Sequence, residues 1–267
     1  MLYHLQKILA FSILLNSCQT GKLHVIADLP NSLKEASAIE TVNGSKLLWT
    51  IEDSGNKNNI YGLNKNGKIV KDIDISNASN IDWEDLTSDS FGNLYIGDFG
   101  NNSKNRDDFT IYKVSDLKSD KTSVERINFI LPKNLKPKDF EAFFLFNGYF
   151  YMFSKENKSS ILLKVPNRIG KHTAEMVTDF NLDGKHNQIT SADISDDGET
   201  IVLLNHDKLW KITNFKTDQF FNGKVEEMTF GHSSQKEGIC FKNNHSVYIT
   251  DEKTKGEGGN LYDFKLN

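Results

Sequence analysis

An all-β fold built from one repeated hairpin is what this 267-residue sequence predicts, on three observations. First, five segments line up: EASAIETVNGSKLLWTIEDSG, EDLTSDSFGNLYIGDFGNN, EAFFLFNGYFYMFSKEN, TSADISDDGETIVLLNHD and EGICFKNNHSVYITDEK. They start at Glu35, Glu84, Glu141, Thr190 and Glu237, 47 to 57 residues apart, which is the spacing of propeller blades. Second, each copy sets a short turn between two apolar runs: Asn43-Gly44, Phe91-Gly92, Asn147-Gly148, Asp197-Gly198 and Asn243-Asn244. Gly and Asn supply the positive φ that tight hairpins need. Third, no stretch sustains apolar residues at helical spacing. A five-bladed β-propeller follows, with an all-β solenoid as the competing architecture.

The hairpin provides the first two strands of each blade. A third strand follows in every copy, as NIYGLN, FTIYKV, SILLKV, KLWKI and NLYDFKL, rich in the aromatic and β-branched residues that strands favour. A fourth follows in the first four copies only, as IVKDIDI, VERINFI, EMVTDFNL and VEEMTF. The fifth blade is expected to borrow LHVIADL from the start of the domain, paired with NLYDFKL. That closes the ring and hides an edge that would otherwise invite aggregation.

Hydrophobic content of 37% and charged content of 25% are those of an ordinary globular protein with a sizeable core. With only four prolines and no low-complexity tract there is no linker, so residues 23–267 read as one propeller domain. A formal charge of −4 with no basic stripe argues against nucleic acid as a partner. Residues 1–17 read as a secretory signal whose apolar run, ILAFSILL, is too short to span a bilayer. The segment LNSC resembles a bacterial lipobox, although Asn16 departs from the small or apolar residue usual there. This predicts lipidation of Cys18, a tether over residues 18–22, and an extracytoplasmic protein held on a bacterial membrane, periplasmic or at the cell surface, by its lipid alone. The plain alternative is a signal peptide with an incidental cysteine. Cys240 would then be the one remaining thiol, buried in an inner strand, with no disulfide to form.

Propeller topology has a direct consequence for the acidic residues. The inner strand leaves one face and the second strand returns to it, so both ends of each hairpin meet at the same channel mouth. Glu35, Glu84, Glu141 and Glu237 are placed there, with Asp53, Asp98, Glu156, Asp207 and Asp251 on the return loops and Thr190 as blade four's counterpart. Carboxylates crowded at one mouth raise one another's pKa unless something offsets the charge. Three offsets are open. A calcium ion held by Glu35, Glu84, Glu141 and Glu237, aided by Asn56, Asn101, Asn102 or backbone carbonyls, is one. Ion pairs with Arg106 or Lys155 are another. Hydrogen bonds from the backbone of the next blade are the third. The longer loops after Asp53 and Asp98 single out blades one and two as the place for a specific ligand. Trp83 is expected either in packing or as a stacking surface at the mouth, and His206 is the histidine that can face it.

The segments DWEDLTSDSFGNLYIGDFGNN, EDSGNKNNIYGLNKNGKI and ITSADISDDGETIVLL resemble blades of bacterial extracytoplasmic β-propellers, loosely similar to the phytase-like, SdiA-regulated and SMP-30-type propellers. The resemblance implies a fold first. It also implies an activity class, since those groups include calcium-dependent phosphatases and metal-dependent lactonases alongside propellers without known activity. Those enzymes generally have six blades, whereas five copies occur here. A phosphate site would also gather more basic residues than Lys57, Arg106, Lys155 and Lys253. No GxSxG elbow, HExxH helix or phosphate-loop glycine pattern is present. The sequence therefore predicts a propeller that binds a small molecule, glycan or protein through Glu35, Asp53, Asn56, Glu84, Asp98, Asn101, Arg106, Glu141 and Glu237. A metal- or carboxylate-dependent hydrolase acting on a phosphoester, lactone or glycoside is the alternative.

Overall fold

The structure is a computed structural model that describes residues 20–254 and 256–267, so Cys18 and the apolar run before it lie outside the described residues. Five sheets, antiparallel apart from one outer parallel strand on each of two, form a ring, and the described residues contain no α-helix. Blade one comprises Glu40–Thr41, Leu48–Thr50, Asn59–Leu63 and Ile69–Ile75. Blade two comprises Trp83–Ser88, Leu94–Asp98, Asp108–Val114 and Glu125–Ile130. Blade three comprises Phe140–Phe146, Tyr149–Ser154, Ser160–Pro166 and Glu175–Phe180. Blade four comprises Ser191–Ile194, Thr200–Leu204, Lys208–Thr213 and Lys224–Thr229. Blade five has three strands of its own, Lys236–Asn243, Ser246–Asp251 and Asn260–Lys265. Its fourth is His24–Asp28, paired antiparallel with Asn260–Lys265, so the ring closes as the sequence predicts.

The core is divided as a ring demands. Five hydrophobic clusters each fill the space between two neighbouring blades. Between blades two and three the filling is aromatic, with Tyr95 edge-on to Phe150 at 5.0 Å and Phe109 edge-on to Phe140 at 5.9 Å. Such pairs add about 0.5–1.5 kcal/mol each beyond the area they bury. Trp49 and Trp210 are buried in these seams.

Four further strands are not foreshadowed by the repeat: a small hairpin in blade five, Lys253–Thr254 with Glu257–Gly258, and two edge strands. Lys121–Thr122, from blade two, runs parallel to the outer strand of blade one. Gly170–Thr173, from blade three, does the same on blade two. Each covers the outer edge of the preceding blade, a ready template for wrong pairing if left bare.

The axis is plugged by one carboxylate. Asp85 is fully buried in the inner strand of blade two and reaches across to its neighbours. It accepts hydrogen bonds from Phe143 N of blade three at 3.1 Å, and from Ser191 Oγ and Ala192 N of blade four at 2.9 and 3.3 Å. Ser191 Oγ in turn accepts from Ile239 N of blade five at 3.1 Å. One buried side chain thus ties three inner strands, and a relay carries the tie to a fourth.

Candidate functional site

Three glutamates owe their position to the same local irregularity. In blade two, Trp83 pairs with Asp98 and Asp85 pairs with Gly97, leaving Glu84 as an extra, unpaired residue. Glu141 and Glu237 are skipped in the same way in blades three and five. A β-bulge bends its strand and re-aims a side chain, and here it turns each glutamate into the channel mouth while the next residue still faces inward.

Backbone pairing corrects the register assumed for blade one. Asp53 N donates to Glu35 O as Gly100 N does to Asp82 O, Lys155 N to Asp139 O and Glu252 N to Gln235 O. Ser37, not Glu35, is therefore level with Glu84, Glu141 and Glu237, and Glu35 stands two residues further out, level with Asp82. Thr190 holds the equivalent place in blade four, where its hydroxyl donates to Lys236 O at 2.7 Å.

These residues surround a mouth cavity of about 220 Å³. Its lining is Glu35, Ser37, Asp53, Glu84, Asn102, Glu141, Lys155, Gln235, Glu237 and Glu252, with no aromatic or aliphatic residue among them. The structure thus brings Glu35, Asp53, Glu84, Glu141 and Glu237 together. Asn56 stands behind them, donating to Glu35 Oε2 at 2.6 Å.

Asp98, Asn101 and Arg106 do not line the cavity. Asp98 is fully buried and accepts from Arg106 Nη2 at 3.0 Å. Asn101 donates to the carbonyls of Arg106 and Lys138 and accepts from the backbone of Asn105 and Arg106. The three satisfy one another and shape the loop, which leaves them nothing to offer a ligand. Trp83, too, is fully buried, with its indole donating to Ser79 O at 3.2 Å, so it offers no stacking surface.

Lys155 supplies the offsetting charge. It occupies in blade three the position that Asp53 and Glu252 occupy in blades one and five, and its ammonium lies 2.6 Å from Glu141 Oε2. Burial opposes its charge, but Glu141, Glu237 and Glu84 together hold its pKa above the usual lysine range. The carboxyls pay the converse cost. Burial pushes Glu141 up to about 8 despite Lys155. Burial, with Glu237, Asp53 and Glu35 adding, pushes Glu252 to about 8, and burial followed by Glu35 raises Asp53 to about 6. Glu84 is raised well above the carboxylate range by burial and then by Glu141. Its carboxyl has no hydrogen-bond donor or ion-pair partner among the described residues, so it is the open acceptor of the mouth.

The expected calcium set of Glu35, Glu84, Glu141 and Glu237 does not form. Among the described residues no group of three or more His, Cys, Asp or Glu side chains is arranged to hold a metal ion. The physical reason is Lys155, which takes one oxygen of Glu141, together with the outward placement of Glu35. His206 lies at the rim, its Nε2 3.0 Å from Glu237 Oε1.

Gly100 makes room for Glu84. A Cβ at this position would fall inside van der Waals contact of Glu84 Oε1 and Asp82 Oδ2. Gly100→Ala is therefore expected to displace Glu84 and to cost roughly 1–3 kcal/mol through overpacking, read as a lower unfolding midpoint in denaturant. An unchanged midpoint would show that the loop gives way freely. Gly55, by contrast, has open space around it and is needed for its φ of 84°.

Glu252, Ser37 and Gln235 escaped the sequence reading, whereas Asn102 is where it was expected. Glu252 is neighbour to Asp251, the residue expected at that place, and Asp251 instead accepts from Ser234 Oγ and Tyr262 Oη. A strict comparison of return loops, aligning Glu252 with Lys155 rather than Asp251 with Glu156, would have found it.

No protein-family model matches the sequence, and comparison with curated proteins gives no match. Solved structures do match. Among them is the PQQ-bound form of an aldose sugar dehydrogenase from Streptomyces coelicolor, 9% identical, with a TM-score of 0.54 over 92% of this chain and 98% of that one. At that identity the likeness is one of fold.

Proposed function

We propose that this propeller is a binding protein whose acidic mouth receives a small organic cation. The observation that carries the reading is Glu84, nearly buried, facing the cavity, and without a donor among the described residues. An acceptor so placed is free to take a donor from a ligand. Lys155 is the cation among the cavity-lining residues, beside six acidic side chains, those of Glu35, Asp53, Glu84, Glu141, Glu237 and Glu252, and a cationic ligand would favour their ionised forms. A lining without aromatic residues favours a charged ligand over a glycan, which would gain from a stacking surface. PQQ fits poorly, because its own carboxylates would meet carboxylates here.

Titration calorimetry with small ammonium and guanidinium compounds tests the proposal. Binding by wild type, weakened about tenfold or more in Glu84→Gln, is expected. Selective binding of anions, or an affinity indifferent to Glu84, would overturn it. Calcium belongs in the same panel, with a chelator control, as the hard cation these oxygens can also attract. Hydrolysis is the second reading, favoured by Glu141, which at about 8 can keep a proton to donate at neutral pH. Wild-type inactivity on phosphoester, lactone and glycoside panels would remove it.

We place the propeller on the outer side of a bacterial membrane, tethered by lipid on Cys18. Cys18→Ser is expected to move the protein from the membrane fraction to the soluble one. Retention of the variant on membranes would exclude the lipid anchor.

A further inference from the structure

The opposite mouth of the channel holds a larger cavity, a bowl of about 780 Å³ rimmed by the hairpin turns of blades one to four. The turns have obvious conformational roles, which is why they drew no functional reading. The bowl's lining contains five carboxylates, Glu40, Asp89, Asp193, Asp196 and Asp197, and no lysine, arginine or histidine. An acidic lining alone is only a surface property. The second observation is Glu40. Its side chain is 4% exposed, Oε1 accepts from Ser88 Oγ at 3.2 Å, and Oε2 is buried with no hydrogen-bond partner.

No side chain among the described residues donates to that oxygen. Neighbouring buried polar groups on the axis are satisfied: Asp193 accepts from Phe241 N at 2.7 Å and Ile194 N at 2.8 Å. Burial, then Asp193 and Asp85, hold the Glu40 carboxyl well above the usual carboxylate range, which favours its neutral form in the absence of a nearby cation. A donor brought from outside would complete its hydrogen bonding. A protonated amine supplies a donor together with a positive charge that favours the ionised carboxylate.

The shape narrows the class. Among the described residues no three acidic, histidine or cysteine side chains converge as a metal site requires, which favours an organic cation over a bare ion. Acidic groups also run from the floor, at Glu40 and Asp193, to exposed Asp196 at the rim, past apolar wall contributed by Phe146 and Phe241. Charge at two depths separated by apolar surface suits a flexible chain with an amine at each end. We infer that this bowl is a second ligand site, taking an aliphatic di- or polyamine with one ammonium toward the Glu40 carboxyl at the floor and another toward Asp196.

Titration calorimetry and thermal melts of the full protein with spermidine test this, using Glu40→Gln, Asp196→Asn and Glu84→Gln. Saturable binding by wild type is expected, weakened about tenfold or more by Glu40→Gln and by a smaller factor by Asp196→Asn. Because ammonium compounds are also expected at Glu84 in the other mouth, the bowl's share is read in a Glu84→Gln background, where saturable binding should persist and still fall when Glu40→Gln is added. Without amine, Glu40→Gln should melt at or above the wild-type temperature, because a carboxyl whose ionised form is disfavoured by burial has been removed. Three outcomes would overturn the inference: no saturable binding by folded wild type, binding in the Glu84→Gln background that survives Glu40→Gln and Asp196→Asn alike, or binding lost only in Glu84→Gln. The last would assign the amine to the first mouth instead. Calcium binding abolished by Glu40→Gln, without any for spermidine, would make the bowl a metal site and equally overturn it. If Glu40→Gln fails to fold, Asp196→Asn decides, since an exposed rim residue can be changed without disturbing the core.

Discussion

Asp85→Ala should lower the melting temperature by on the order of 10 °C, the largest effect expected of any single substitution on the axis. The change strands Phe143 N, Ala192 N and Ser191 Oγ, buried groups that now donate to one carboxylate. Leaving buried donors unsatisfied costs about 1–3 kcal/mol each, and the set together roughly 3–5 kcal/mol once some relaxation is allowed. For a domain of this size each kcal/mol is about 2–4 °C. Asp85→Asn keeps one acceptor oxygen and should recover part of the loss. Calorimetric melts check both, and an alanine variant within about 3 °C of wild type would show that the blades hold together without this tie.

Lys155→Met should be comparably severe, but only at high pH. Removing one partner of a buried ion pair typically costs about 3–5 kcal/mol, because the other charge is left uncompensated. The pH dependence follows from the carboxyls. Asp53 titrates at about 6, and Glu141 and Glu252 at about 8, all above their values in an unfolded chain. Between roughly pH 4.5 and 8 the folded mouth therefore holds protons that the unfolded chain has released, and stability falls as pH rises through that window. Wild type should melt at a higher temperature at pH 5 than at pH 8.5. In Lys155→Met the fall should be steeper, since Glu141 and Glu237 lose their counter-charge. A Met variant with the wild-type slope would mean that Lys155 does not govern the mouth's protonation.

The ring was legible because its signals are local: turn dipeptides, strand-like runs and a repeated spacing. The closure of blade five was legible because a missing outer strand at one end matched a surplus strand at the other. The pair at the centre of blade two escaped because of a bulge. A period of two assigns Glu84 and Asp85 to opposite faces, so only one of them could be read as facing the channel. The bulge at Glu84 breaks the alternation and delivers both, Glu84 to the mouth and Asp85 to the axis. Glu35 misled for the related reason that blade one places a serine at the glutamate position, so the nearest acid in sequence was taken for the equivalent one. Lys155 had been one of three possible offsets, and only its ion pair with Glu141 distinguishes it from the others. Asp98, Asn101 and Arg106 show the converse limit, since a polar loop that satisfies itself has the same composition as one that binds.

The closing strand also fixes how the molecule would respond to force. His24 pairs with Asp263 and Asp28 with Asn260, so the two strands nearest the chain ends begin and finish at the same end of blade five. Tension applied between the ends, once the Lys22 N to Phe230 O bond has gone, acts across this ladder and opens its hydrogen bonds one after another, as a zipper does. Had the strands been parallel, the same tension would have loaded all their bonds together in shear. Blade five is therefore the weak link under pulling, and blades one to four should stay packed while it opens.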